Sequence, residues 1–237
     1  MTGFSRGLSA LSERRKTLRD AYHEELDALT GQLVEMTRLV GSAINRATTA
    51  LLDADLTLAE SVIVADDAVD ALRDDLDRRA MDLLARQQPV ASDLRVIVTT
   101  LKMSADLERM GDLARHVARA ARRRFPDPAV PAPLRATVVE MGQVAELLVA
   151  KAGSVLESHN VEEALQIERD DDEMDRLHRE LFTALLDVSS PFSIEAAIDV
   201  TLVSRYYERF ADHAVAVARR VVFLVTGQQP QDLTERV

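Results

Sequence analysis

From Leu26 to Ala50 the apolar residues recur at alternating steps of three and four: Leu26, Leu29, Leu33, Met36, Val40, Ala43, Ala47 and Ala50. This spacing is the buried stripe of an amphipathic helix, and it excludes a strand, whose faces alternate at a period of two. The pattern returns at Val62, Ala65, Val69, Leu72, Leu76 and Leu83, then at Leu134, Val138, Met141, Ala145, Leu148, Ala152 and Val155, and again at Ile167, Met174, Leu177, Leu181 and Leu185. Such stripes, with charge on the remaining faces, are the seams of helix bundles. A β-sandwich or barrel is excluded by 4% aromatic residues, no Trp, and only 8 Gly and 7 Pro in 237 residues.

Proline divides the pattern. Pro126, Pro128, Pro131 and Pro133 crowd one short stretch that no helix can cross, since each lacks an N–H and clashes with the preceding turn. Pro89 and Pro191 precede further helical patterns, and Pro230 follows the last. Asp53 or Asp55 is placed to cap the second helix, and Asn160 the fifth. The spacing predicts an all-α chain of six long helices in two tandem three-helix bundles. The segments are an extension at 1–18, a first bundle at 19–125, a linker at 126–133, a second bundle at 134–227 and a tail at 228–237.

The halves repeat. Asp66-Asp67-Ala68-Val69-Asp70-Ala71-Leu72 and Asp171-Asp172-Glu173-Met174-Asp175-Arg176-Leu177 share one pattern, D-D-x-apolar-D-x-L. Glu108-Arg109-Met110-Gly111-Asp112 returns as Glu208-Arg209-Phe210-Ala211-Asp212. Two matches in the same order point to a pseudo-twofold internal duplication.

The repeated acids stand where apolar residues belong. A seam of Leu94, Val98, Leu101 and Ala105 continues onto Glu108 and Asp112, and Ile194, Ile198 and Thr201 lead through Arg205 to Glu208 and Asp212. Like charges one helical turn apart repel, and partial burial adds a desolvation cost of several kcal/mol per ion. With the acids of the second and fifth helices, each bundle offers several carboxylates at one level, a set that a hard cation neutralises through oxygen ligands. Two other arrangements stay open. The acids can lie solvated on the surface, or a second stripe of Met103, Met110, Ala114 and Val117 can form the core and leave Glu108 and Asp112 at its boundary. His116 and His178 lack counterparts in the other half and read as packing or surface residues. Arg122 to Arg124 close the third helix, where they suit the helix dipole; a phosphate or a partner's acid is the alternative contact for them and for Arg219 and Arg220.

Several chemistries are absent. Without Cys there is no disulfide, thiolate metal site or thiol nucleophile. No Glu-x-x-His, P-loop, G-x-G-x-x-G or G-x-S-x-G occurs. A net charge of −11 argues against a nucleic-acid binder. No run of 18 or more apolar residues offers a membrane span, and no apolar core follows the basic N-terminal residues, so the expected location is the cytoplasm.

Pro89-Val90-Ala91-Ser92-Asp93-Leu94-Arg95, then Leu107-Glu108-Arg109-Met110-Gly111-Asp112, then Glu208-Arg209-Phe210-Ala211-Asp212 resemble the PhoU phosphate-signalling regulators, over a span of about Arg19 to Gly227. The resemblance implies two three-helix bundles, frequent dimers and multinuclear metal binding at the E(D)-x-x-x-D motifs. It implies an adaptor, not an enzyme, acting between the ATPase of a phosphate ABC transporter and a sensor histidine kinase. In that role it would restrain uptake and hold the phosphate-starvation response off. Carried onto this chain, the metal ligands are Glu108, Asp112, Glu208 and Asp212, with Asp67, Asp70, Asp172 and Asp175 as their partners. The metal is a divalent or trivalent ion (Mg, Mn, Fe or Zn). The chain departs from the family at Ala211, where Gly is usual, and at Phe210, in place of a smaller aliphatic, which puts the geometry of the second site in question. A carboxylate-bridged metalloenzyme and a metal-free scaffold are the competing expectations.

Overall fold

The computed structural model of the chain describes residues 3–87, 89–187 and 192–228, with side chains placed from residue 20 onward. The expected tail beyond 228 and the prolines at 191 and 230 lie outside them. Six helical rods form the fold: α1 (Gly3–Asp53), α2 (Leu56–Gln87), α3 (Ser92–Arg124), α4 (Arg135–Ser158), a fifth rod interrupted into α5 (Val161–Asp170) and α6 (Asp172–Leu186), and α7 (Ile194–Thr226). From Gly3 the expected separate extension is helix continuous with α1. The interruption of the fifth rod falls at Asp171, amid four consecutive acids, Asp170 to Glu173.

Side chains set the ends. Asp55 Oδ1 accepts the Leu58 N–H at 2.9 Å. Asn160 Oδ1 accepts those of Glu162 and Glu163 at 3.0 and 3.2 Å, while its Nδ2 donates to Glu163 Oε1 at 2.9 Å. These bonds satisfy donors that a helix start leaves free. At the other end, α4 stops on His159 and α7 on Gly227, both in the left-handed region.

Helices α1, α3, α4 and α7 form the centre; α2 flanks α1 and α3, and the α5–α6 rod flanks α4 and α7. The bundles join where α1 meets α4 and where α3 meets α7, so each junction pairs helices that hold the same place in the two halves. One continuous core results, with Leu29, Leu33, Met36, Met103, Met110, Met141, Tyr207 and Phe210 buried in it. At the α1–α4 junction the backbones approach closely: a Cβ at Gly142 or Gly153 would stand 2.6 Å from Thr48 Cγ2 or Thr37 Oγ1. Across the bundles Thr48 Oγ1 and Tyr207 OH share a buried hydrogen bond of 2.6 Å. The linker packs back through buried Ala129 and Val130 before a 3-10 turn at Ala132–Leu134.

Two seams differ from expectation. On α3 the core stripe is Met103, Met110, Ala114 and Val117, while Leu94 and Val98 are 41% and 40% exposed. On α7 it is Val203, Tyr207, Phe210, Ala214 and Val217, with Ile194 and Ile198 exposed. Apolar residues occupy both faces at the start of each helix, so spacing alone fits two stripes; the stripe that persists along the whole helix takes the interior.

Candidate functional site

On α2 the inward line runs Val62, Asp66, Val69 and Leu76, all buried, whereas Ala65 is exposed. The fifth rod carries the same line through Ile167, Asp171, Met174 and Leu177, with Asp171 half-buried. In each copy the first acid of the D-D-x-apolar-D motif therefore occupies a seam position. The acid at the next position is turned by about 100°, which places Asp67 and Asp172 on exposed faces. The structure thus assembles Asp66, Asp70, Glu108 and Asp112 at one end, and Asp171, Asp175, Glu208 and Asp212 at the other. Asp66 and Asp171 were absent from the expected ligand sets. Their steps of four and three from flanking apolar residues were the available signal.

Asp66 is 5% exposed and lies against the backbone of Gly111, where a Cβ would come within 2.7 Å of its Oδ1. Gly111 is therefore the vacancy that admits the carboxylate. Burial, with the like charges of Asp70, Asp112 and Glu108, raises its pKa to about 6 against the pull of Arg115. Arg115 Nη1 stands 2.6 Å from Asp66 Oδ2, close enough for ion pairing though not aligned for a hydrogen bond. Arg115 also pairs with Asp112, Arg109 Nη1 donates to Asp112 Oδ2 at 2.9 Å, and Arg73 Nη1 sits 3.2 Å from Glu108 Oε1. Three arginines thus pair with three of the four carboxylates of the first cluster, Asp66, Glu108 and Asp112.

The second cluster has fewer direct ion pairs, though Arg219 lies within electrostatic reach of Asp171 and Asp212. The position matching Arg115 is Val215, and the one matching Arg73 is His178. Arg205 pairs with Glu208, while Glu208 Oε2 is buried with no hydrogen-bond partner. Burial and then the charges of Asp212, Asp175, Glu208 and Asp172 push Asp171 up to about 7. Glu208 is raised by burial and Asp212, against Arg205 and His178. His178 shares a 2.6 Å hydrogen bond with Ser204 and tilts against Phe182, and His116 stacks on Tyr206, so both pack as expected. Among the described residues no three His, Asp or Glu side chains converge as a preformed metal cage.

The arginine clusters find acids within the chain. Arg123 Nη2 donates to Asp199 Oδ1 at 2.7 Å and Arg124 pairs with Asp199 and Glu195, joining the end of α3 to the start of α7. Arg220 Nε donates to Asp106 Oδ2 at 2.6 Å, and Arg219 pairs with Glu168. No helix among the described residues is long and apolar enough to cross a membrane.

The PhoU domain model matches twice, at residues 33–121 and 138–221. The phosphate-specific transport system accessory protein PhoU homolog 2 of Mycobacterium tuberculosis is 52% identical over 213 residues, covering 90% of this chain and all of the relative. Homolog 1 of Mycobacterium leprae is 49% identical over 217 residues, 92% of this chain and 98% of the relative. The crystal structure of PhoU from Pseudomonas aeruginosa superposes with a TM-score of 0.80 at 33% identity, over 87% of this chain and 100% of that one. A phosphate transport system regulatory protein, PhoU from Streptococcus pneumoniae, gives 0.79 at 25% identity, over 88% and 98%. With both halves matched and relatives this similar over nearly their whole length, the chain belongs to the PhoU family.

Proposed function

We propose that this chain is a cytoplasmic accessory regulator of phosphate transport. It acts as a non-catalytic adaptor between the ATPase subunit of a phosphate ABC transporter and a sensor histidine kinase, and it restrains the starvation response when phosphate is plentiful. The observation that carries this reading is near-full-length identity to relatives named phosphate-specific transport system accessory proteins. The family resemblance adds a homodimer, for which the exposed Ile194, Ile198 and Leu202 offer apolar surface. Deleting the gene should switch on phosphate-starvation promoters in phosphate-rich medium, and the full chain should silence them. Promoters that stay silent in the deletion strain refute the regulatory role. Pull-downs at physiological levels that recover neither partner refute the adaptor role.

Metal binding belongs to the same reading, and the two clusters differ in their fit. In the first, Asp66, Glu108 and Asp112 are already paired with Arg73, Arg109 and Arg115, so its residues do not fit a cation as arranged. The second fits by donor chemistry and by the orphaned Glu208 Oε2, and Glu208, Asp212, Asp171 and Asp175 would hold Mg, Mn, Fe or Zn. What a bound cation supplies there is the counter-charge that lets buried carboxylates stay ionised. Asp67 and Asp172 face away and are left out of the set. Adding Mn²⁺ to chelator-stripped protein should raise Tm. Glu208→Gln with Asp212→Asn should abolish the rise, and Glu108→Gln should leave most of it. No rise in the unaltered protein with any of the four metals refutes the site.

A further inference from the structure

The two ends of the α3–α7 junction are related by the repeat, and they treat charge in opposite ways. At one end Asp199, 5% exposed, gathers Arg123 and Arg124, with Glu195 alongside. The cluster is closed: its cations meet acids from the same chain. A shift of 100 residues carries that end onto the other. There Asp199 becomes Thr99, Glu195 becomes Arg95, and Leu202 becomes Lys102. The central acid is missing, and so are the two arginines it gathers, whose counterparts are Phe223 and Leu224; instead, cations stand in place of an acid and a leucine.

This second end is open as a cleft of about 580 Å³, with Arg95, Lys102, Arg219 and Arg220 on its walls. Arg219 and Arg220 are held by Glu168 and Asp106. Arg95 and Lys102 form no ion pair among the described residues, and Arg95 Nε is buried without a hydrogen-bond partner. Arg95 and Lys102 thus line the cleft without an acidic partner among those residues, Arg95 partly buried and Lys102 exposed. A buried guanidinium N–H without a partner calls for an acceptor, and an oxyanion answers it through charge-assisted hydrogen bonds. The rest of the cleft is apolar: Leu94 and Val98 are solvent-exposed on α3, and the Phe223 ring lies 6.0 Å from the Arg95 guanidinium. The volume falls in the range of small-molecule sites, roughly 300–1,000 Å³, and far exceeds the needs of a bare inorganic anion. The lining joins an anion-binding set to an aromatic and aliphatic floor.

We propose that the α3–α7 cleft binds an organic phosphate of nucleotide size, with its phosphate on Arg95 and Lys102 and its apolar body against Leu94, Val98 and Phe223. The ligand supplies the acidic partner that Arg95 and Lys102 do not find among the described residues. This assignment is independent of the acidic clusters and of any metal they take.

The test is calorimetric titration of the full chain with AMP, ATP and inorganic phosphate, in EDTA so that no cation bridges phosphate to the acidic clusters. A nucleotide should bind saturably with Kd below about 1 mM, and inorganic phosphate at least about tenfold more weakly, a difference of ~1.4 kcal/mol. Arg95→Gln with Lys102→Gln should weaken the nucleotide at least about tenfold while circular dichroism stays unchanged. Thr99→Asp places an acid of the chain itself in the cleft and should abolish binding; because Thr99 is buried, the exposed-side Lys102→Glu serves as the second test. Absence of saturable binding by either nucleotide at millimolar concentration overturns the proposal. So does nucleotide binding that survives the Arg95/Lys102 double substitution in folded protein. Equal affinity for inorganic phosphate and nucleotide overturns the role of the apolar floor.

Discussion

Substituting Gly111→Ala sets two effects against each other. In a helix interior Ala is better than Gly by about 1 kcal/mol. The structure predicts that this gain is lost, because the new methyl would stand 2.7 Å from Asp66 Oδ1, while Val69 and Val40 stay at ordinary distances of 3.5 and 3.7 Å. Relief requires the carboxylate to retreat by about 0.7 Å from a buried position beside Arg115. Forcing atoms into a packed interior costs ~1–3 kcal/mol, so the net expectation is a loss of about 1 kcal/mol, or roughly 2–4 °C in Tm for a chain of this size. Urea and thermal denaturation measure it. The decisive comparison is the same substitution in an Asp66→Ala background. With the carboxylate gone, Gly111→Ala should become stabilising by about 1 kcal/mol. Equal effects in the two backgrounds would show that Asp66 does not use the space above Gly111.

Four further outcomes follow from the buried polar groups. Asp171, raised from 3.8 to about 7, binds its proton more tightly folded than unfolded, so its contribution to stability declines as pH rises from about 4 to about 7 and is flat above. A rise of that size corresponds to about 4 kcal/mol, which solvent on the open side of the cluster trims to ~1–2 kcal/mol. Asp171→Asn in chelator should therefore match the unaltered chain near pH 4 and exceed it at pH 8; a variant no more stable at pH 8 contradicts this. Asp199→Ala strands Arg123 and Arg124, and since Arg123 stays largely in water the loss should be about 2 kcal/mol, below the ~3–5 of a fully buried pair; a loss under ~0.5 kcal/mol in urea melts would place this contact among inert surface pairs. Tyr207→Phe removes one of the two partners of Thr48 Oγ1, which keeps its bond to the Ile44 carbonyl, for an expected loss of ~1 kcal/mol in the same assay. Burial holds the Tyr207 phenol well above its ordinary range, so its tyrosinate absorption should appear only as the fold is lost.

The rods, the caps at Asp55 and Asn160, and the division at Pro126 to Pro133 were legible because each rests on chemistry local in sequence: a three-four repeat, a side chain reaching the next turn, a ring without an N–H. The choice of interior stripe on α3 was not. Leu94 and Met103 are equally apolar, and only the helices packed around α3 decide which is covered. The site divides in the same way. The repeated acids were plain in sequence, and so was their conflict with burial. Which copy leaves that conflict unresolved depends on residues outside the motif, Arg115 against Val215 and Arg73 against His178, on helices that the fold must first bring together. A motif counts its own charges; the electrostatic demand of a site is set by neighbours that carry no motif. For that reason the copy retaining Gly111 pairs Asp66, Glu108 and Asp112 with three arginines, while the copy that departs from the family pattern at Ala211 pairs Glu208 with Arg205 and leaves burial and like charge to raise Asp171.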